Sequence, residues 1–397
     1  MESSLFRFNP WWEQKHNFSI IDRPKYRSLL TESLGNDQII LLTGLRRIGK
    51  TSLMRLSILW LIDQLKIDPK YIFYVSLDDY TLKEASILNI IDAYRKIQQI
   101  RYDEKIYVFL DEVAYKQDFA LQLKNLHDSQ HVKVFAASSS SSLLVAGKHH
   151  ITGRNKIIEV LPLDFKEYLQ FKKINISKAN PHLFEIEFEN FLKTGGIPQY
   201  VTEYDPAYIH ELVDDVIMKD IAAVNAIRQP KVLKDLFLML MERAGKQVSL
   251  NKLAKLLGIS VDTVARYFDL FVKAYLIYPV DRYGKTNERL LSPKKIYAPD
   301  TGIRVHYTGF RDKGSLFENY VFLKLKSFQP EYLYQDQTEL DFRLQSGQVV
   351  EAKYHNEPLS EKQQKLWETF EPAKRHIVRN EGDIQQVLEA IKSSKPE

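Results

Sequence analysis

A chain of 397 residues with 44% hydrophobic and 27% charged residues has the balance of folded soluble domains and is long enough for two or three cores. It contains no cysteine, which excludes disulfides and thiolate-ligated metals and leads to the expectation of a reducing, cytoplasmic setting. The net charge of +5 permits anionic partners without demanding them, no apolar run reaches the ~18 residues of a membrane span, and MESSLFRFNP lacks a signal-peptide layout.

In chain order, residues 23–34 carry a helical pattern closed by Gly35 and Asn36. Residues 39–42 are a continuous apolar run, the mark of a strand buried on both faces. The run opens into Gly44-Leu45-Arg46-Arg47-Ile48-Gly49-Lys50-Thr51, a complete G-x-x-x-x-G-K-[ST] pattern. Ser52 follows, and then Leu53, Leu56, Ile58, Leu59 and Ile62 at helical spacing. A strand, a glycine-bounded loop and a helix in this order let backbone N–H groups and a helix N-terminus surround a phosphate. The cradle is read as Gly44 through Ser52, with Lys50 reaching the β- and γ-phosphates of ATP and the Thr51 hydroxyl ligating Mg²⁺.

Further strands are predicted over residues 71–77, 106–110, 132–137 and 156–161. The helical segments between them make an α/β arrangement, a parallel sheet covered on both faces. The strand at 106–110 runs into Asp111 and Glu112, an ending that resembles a Walker B motif. Asp111 belongs with Thr51 beside Mg²⁺, and Glu112 would orient and deprotonate the attacking water. One strand separates the P-loop strand from this one, which distinguishes hydrolases with a catalytic glutamate from P-loop kinases. Ser138, leaving the fourth strand at the head of the run ASSSSSLL, is placed to contact the γ-phosphate or the water; a serine-rich turn and helix cap is the alternative. Arg154, in Thr152-Gly153-Arg154, could bring positive charge to a nucleotide, its own or a neighbour's in a homo-oligomer, or lie on the surface.

Beyond residue 166, helices over 167–173 and 185–192 read as a lid, broken at Gly195-Gly196-Ile197-Pro198, with further helices over 208–223 and 231–244. Residues 249–276 contain two capped helices, 250–257 and 261–274, joined by Gly258-Ile259-Ser260 as in a helix-turn-helix, with 275–280 as a wing strand. The second helix sets Arg266 and Lys273 against Asp262 and Asp269, so DNA reading competes with a structural or protein-binding role. A helix over 315–327 carries Glu318, and short strands follow over 332–334, 340–344 and 349–353. Glu351 and Lys353, two apart on a strand, face the same side, and Asp341 on the neighbouring strand can join them. Two carboxylates could hold Mg²⁺ while the lysine positions a water; a cross-strand salt bridge in a retained fold is the alternative. Helices over 362–370 and 383–391 and a frayed tail from 393 complete the chain.

Taken together, GLRRIGKTSL, FLDEV, ASSSSSLL, TGRNKIIEVLPLDFKEYL, TGGIPQYV, KKIYAPDTGI, SLFENYVFLKL and TELDFRLQSGQVVEAK resemble the AAA-type ATPases of bacteria and archaea that carry a C-terminal domain of unknown function. The resemblance spans nearly the whole chain, with one departure: Ala136-Ala137 stands where the family usually carries Thr-Gly. It implies an AAA-like P-loop core (1–165), a helical lid and winged helix (166–284) and an α+β end similar to PD-(D/E)xK nucleases (285–397). Glu318 there matches the extra acid on the first helix of the nuclease fold. It implies ATP and Mg²⁺ as cofactors and no established substrate. The expected function is ATP binding and hydrolysis coupled to a nucleic-acid-related or nuclease-like C-terminal domain acting on DNA or RNA. The alternative is a nucleotide-dependent switch that binds a protein partner and carries a structural C-terminal domain.

Overall fold

The apolar run after Gln38 forms β1 (Ile39–Thr43), with every residue buried. Burial on both faces follows from its central place in a five-stranded, all-parallel sheet. The other strands are β2 (Ile72–Ser76), β3 (Ile106–Asp111), β4 (Val132–Ala137) and β5 (Asn155–Glu159), in the spatial order β2-β3-β4-β1-β5. The accompanying helices are α1 (Glu2–Phe8), α2 (Pro24–Glu32), α3 (Lys50–Asp63), α4 (Ile87–Gln98) and α5 (Phe119–Asp128). The computed structural model describes residues 2–14, 18–129, 131–139, 151–177, 180, 182–355 and 357–393. The chain divides into two compact units, residues 1–161 and 162–397, and the sheet belongs to the first. The rest of the serine run, Ser140 to Ser142, lies outside the described residues.

The strand that parts β1 from β3 in space is β4, not β2. Sequence order suggests β2 for that role, yet β2 lies at the sheet edge and β4 pairs with β1 on one side and β3 on the other. The P-loop strand and the strand ending in Asp111 are therefore not neighbours, and the strand leading to Ser138 runs between them. This is the strand order of a P-loop NTPase fold.

The exposed edge of β2 is closed from the N-terminus. The Asn9 amide donates to the Tyr74 carbonyl at 2.9 Å and accepts from the Tyr74 N–H at 2.7 Å. The Trp11 and Trp12 indoles both donate to the Ile72 carbonyl, at 3.1 and 3.0 Å. One side-chain amide thus reproduces the pairing a further strand would make.

In the second unit, β6 (Lys246–Val248), β7 (Tyr278–Val280) and β8 (Lys294–Tyr297) form an antiparallel sheet in the order β6-β8-β7. The helices Leu250–Leu257 and Val261–Lys273 precede it, capped by Ser249 and Ser260 and joined through Gly258 in a left-handed conformation. The sheet draws in β8 from beyond residue 284, a strand that sequence reading does not assign. A second sheet, ordered β12-β11-β10-β9, comprises β9 (Glu331–Gln335), β10 (Thr338–Arg343), β11 (Val349–Ala352) and β12 (Arg375–Val378). Its first three strands are antiparallel, and β12 adds parallel to β11.

Two glycine-containing turns of this unit interlock. The buried Asp300 carboxylate accepts from the Gly196 N–H at 2.6 Å and the Ile303 N–H at 3.0 Å. A Cβ on Gly302 would stand 1.9 Å from the Thr194 carbonyl oxygen, so the approach needs glycine. Burial pushes the Asp300 carboxyl up to about 6 against those backbone bonds. Among the described residues no helix is long and apolar enough to cross a membrane.

Candidate functional site

The loop between β1 and α3 is held in the shape its glycines permit. Gly44 lies at φ +129°, where a Cβ would come within 2.4 Å of the Val160 carbonyl oxygen, and Gly49 lies at φ +100°. The Lys50 side chain is buried and donates to the Gly44 and Leu45 carbonyls at 2.9 and 3.0 Å. Its ammonium therefore lies across the inside of the loop that Gly44 through Ser52 encloses. Buried Arg23 clips the same loop from outside, donating to the Ile48 carbonyl at 3.3 Å and to the Leu161 carbonyl at 3.0 Å.

At the head of α3 the Thr51 hydroxyl donates to Asp111 Oδ2 at 2.5 Å. Asp111 is buried and also accepts from the Tyr74 hydroxyl at 3.0 Å. Burial, and then the Asp111 charge beside it, push the Tyr74 phenol far up, so it stays a donor. Tyr74 is the residue whose backbone Asn9 holds, so the edge cover and the acidic residue are joined through one side chain. A hydroxyl and a carboxylate converging at the start of a P-loop helix are the oxygen donors a hard cation takes.

Glu112 follows in a left-handed conformation, φ +50°, which turns it out of the strand. Its carboxylate accepts from the Ser139 hydroxyl at 2.6 Å and from the Ser139 N–H at 3.4 Å. The serine that reaches the predicted base is thus Ser139. Ser138 is 1% exposed, and its N–H donates to the Leu42 carbonyl at 3.1 Å, extending the β4–β1 pairing by one residue. Alternation along an extended chain explains the one-residue difference: Ser138 continues the buried strand, and Ser139 is the next to emerge.

Arg154 does not join the group. It precedes β5, at the end where Asn155 pairs with Ile39, whereas the P-loop leaves from Thr43 opposite Glu159. Five residues of strand, about 16 Å, lie between them. Its guanidinium is bound to Asp128 at 3.0 Å. Of the readings open for Arg154, service to its own nucleotide is opposed by the parallel topology, which puts Arg154 and the P-loop at opposite ends of the strands.

The second unit holds a separate cleft of about 710 Å³ lined by Glu318, Glu339, Asp341, Glu351, Lys353 and Gln363, among others. The predicted residues Glu318, Asp341, Glu351 and Lys353 all face it. One extra residue in β10 shifts the register with β9 between Leu340 and Arg343, a bulge of the kind that redirects a side chain. The Asp341 N–H donates to Glu351 Oε2 at 2.9 Å, the Ala352 N–H donates to Asp341 Oδ2 at 3.0 Å, and Lys353 Nζ lies 3.1 Å from Glu351 Oε1. Burial first, and the Asp341 carboxylate second, raise the carboxyls of Glu351 and Glu318.

Sequence reading misses a buried lysine that contacts three of the cleft's acids. Lys295 on β8 is 1% exposed, and its ammonium lies 2.6 Å from Glu339, 2.7 Å from Glu318 and 3.1 Å from Asp341. Tyr297, two residues on and on the same face, donates to Glu318 at 2.6 Å. The available signal is the alternation in Lys295-Ile296-Tyr297, which gives the lysine and the tyrosine one side of a strand. Among the described residues no group of three or more histidines and carboxylates is arranged to hold a metal ion.

Comparison with known proteins then bears on both units. Residues 36–169 match an AAA domain. Residues 185–314 match a domain of unknown function, DUF8612. The AAA domain thus covers the sheet, the P-loop and the Asp111-Glu112 pair. Uncharacterized protein MJ1637 of Methanocaldococcus jannaschii is 27% identical over 288 residues, 65% of this chain and 60% of that protein, so the chain spans about three fifths of that relative's length. An uncharacterized protein of Haemophilus influenzae is 25% identical over 343 residues, 82% of this chain and 84% of its own. Among solved structures, the Hsp104–ADP complex of S. cerevisiae is 15% identical, covers 64% of this chain and 38% of that one, and gives a TM-score of 0.34.

Proposed function

We propose that the first unit binds ATP and hydrolyses it, and that its nucleotide state controls the second unit. The observation that supports this reading best is the grouping at the C-terminal ends of β1, β3 and β4. Lys50 lies inside the loop, Thr51 is bonded to Asp111, and Glu112 is turned out of β3 beside Ser139. When ATP is bound, Mg²⁺ held by Thr51 and Asp111 would neutralise phosphate charge. Lys50 and the loop N–H groups orient the phosphates, and Glu112 takes the proton of the attacking water. Lys50→Ala is expected to abolish tight ATP binding. Glu112→Gln is expected to keep binding and lose hydrolysis by about 10²–10⁴-fold; a glutamine variant that turns over at the parent rate would show that another group is the base.

The output in the first form of this reading is nucleic acid. A winged helix built from the two capped helices, and a nuclease-like end built from the helix Lys313–Leu325 with β9, β10 and β11, would engage DNA or RNA, with turnover rising when either is added. A chain that binds neither at low salt would rule this form out.

Two observations favour the alternative, a switch that binds a protein partner while the C-terminal end is structural. The recognition-type helix carries Lys273 paired to its own Asp269 at 2.6 Å, and Leu256 and Val261 stand exposed around its turn. The second helix itself balances Arg266 and Lys273 against Asp262 and Asp269 and so carries no basic stripe. The cation of the acidic cleft is also already supplied by Lys295. Measuring mass with and without ATP, and with DNA, separates a homo-oligomer, a nucleic-acid complex and a monomeric switch.

A further inference from the structure

The nuclease-like arrangement creates an expectation of a divalent ion among Glu318, Asp341 and Glu351, and the contacts oppose it. Both Asp341 oxygens are engaged, one by Lys295 at 3.1 Å and one by the Ala352 N–H at 3.0 Å. Both Glu351 oxygens are engaged as well, Oε2 by the Asp341 N–H at 2.9 Å and Oε1 by Gln363 at 2.8 Å and Lys353 at 3.1 Å. Glu339 divides its oxygens between Lys295 at 2.6 Å and Gln247 at 2.8 Å. Glu318 meets Lys295 and Tyr297 through one oxygen. The point to which three of the four carboxylates converge is taken by an ammonium.

We propose that Lys295 is the resident cation of this cleft and that the cleft works without a divalent metal. A lysine on a short buried strand is suited to this. Its stem is fixed by the antiparallel pairing of β8 with β6 and β7, and Tyr297 beneath it is stacked on Phe322 at 4.3 Å between ring centroids. A metal would have to displace a fully buried ammonium and leave it without counter-charges, a cost of several kcal/mol for a buried ion. With Lys295 in place the cleft does not generate a metal-bound hydroxide, so it does not cut a phosphodiester by that route. The expectation of a metal rests on the nuclease-like reading above; the ion contacts do not, and neither involves ATP turnover.

The test uses the full chain carrying Lys50→Ala, without nucleotide, so that metal held with ATP does not contribute. Mn²⁺ binding is read by water-proton relaxation. The Lys50→Ala chain is expected to show no Mn²⁺ that is lost on adding Asp341→Asn. Adding Lys295→Met instead is expected to gain one Mn²⁺ per chain, lost again when Asp341→Asn is combined with it. Mn²⁺ bound with Lys295 intact and lost with Asp341→Asn overturns the proposal, and so does a folded Lys295→Met chain that gains none. Should Lys295→Met fail to fold, Lys295→Arg decides. A folded arginine variant that still takes no Mn²⁺ sensitive to Asp341→Asn supports a cation requirement, and one that takes it overturns the proposal. Failure of the ATPase reading would show instead as unaltered turnover in Glu112→Gln, which none of these measurements reads.

Discussion

At the scale of single residues, the nucleotide cradle was legible because its chemistry is local. Lys50 and Thr51 are adjacent in sequence, and the loop that holds them is set by two glycines. Glu112 could be read from the strand end it follows, but its partner could not, since choosing between Ser138 and Ser139 requires knowing which one leaves β4. Ser139→Ala is expected to lower the rate of ATP hydrolysis about tenfold while leaving ATP affinity unchanged, because it removes a hydrogen bond to Glu112, the proposed base, and leaves the Lys50 and Thr51 contacts in place; single-turnover kinetics alongside equilibrium binding would check it. The acidic cleft carries a pH signature of its own. Glu351 is raised from the ordinary 4.5 to about 8, chiefly by burial. A carboxyl with a raised folded-state value keeps protons that the unfolded chain releases, so stability falls as pH rises between about 4.5 and about 8. Thermal midpoints across that window should decline for the parent chain, and Glu351→Gln should flatten the slope.

Elements were read best where burial is uniform. Four of the five strands of the parallel sheet are largely apolar and buried, and their positions follow from that pattern, whereas the edge strand β5 buries only Ile158. The short elements of the second unit were harder. The strand Arg375–Val378 is four residues long and only its last residue is buried, and the helix Thr301–Thr308 follows Asp300, whose capping role depends on a turn 104 residues earlier in the chain. Nothing within a local window reports such a contact. Gly44→Ala is an element-scale prediction: the Cβ would press on the Val160 carbonyl at 2.4 Å with φ at +129°. Both β1 and the turn after β5 would have to shift, and ATP binding is expected to fall at least as far as with Lys50→Ala, measured by equilibrium titration. Asn9→Ala should destabilise the first unit by about 2–4 kcal/mol. It leaves the N–H and C=O of Tyr74 buried without their partner, and chemical denaturation would read the loss.

For the whole molecule, the sequence placed the P-loop and the Asp-Glu pair in one domain, and the parallel sheet brings them to the same end of its strands. What it could not supply was the pairing order, because β4 enters between strands that precede it in sequence. The same limit hid Lys295, which reaches three acids between 23 and 46 residues further along the chain. A full chain assayed with ATP should therefore lose turnover when Mg²⁺ is chelated and keep the structure of its acidic cleft, since Lys295 stays. Far-ultraviolet circular dichroism and ATPase rates recorded together in chelator would show the two separating.

The cover on β2 has a consequence for the company the protein keeps. Residues 9–12 occupy the open edge of a sheet whose outermost strand, Ile72-Phe73-Tyr74-Val75, is almost entirely apolar. A chain shortened by its first twelve residues would present unpaired backbone beside that apolar strand, a template on which a second copy can add its own. Such a truncation is expected to self-associate on standing while the full chain stays dispersed, and light scattering followed over hours would show it. On that outcome the N-terminal segment would guard against aggregation, a duty separate from any part it takes in handling nucleotide.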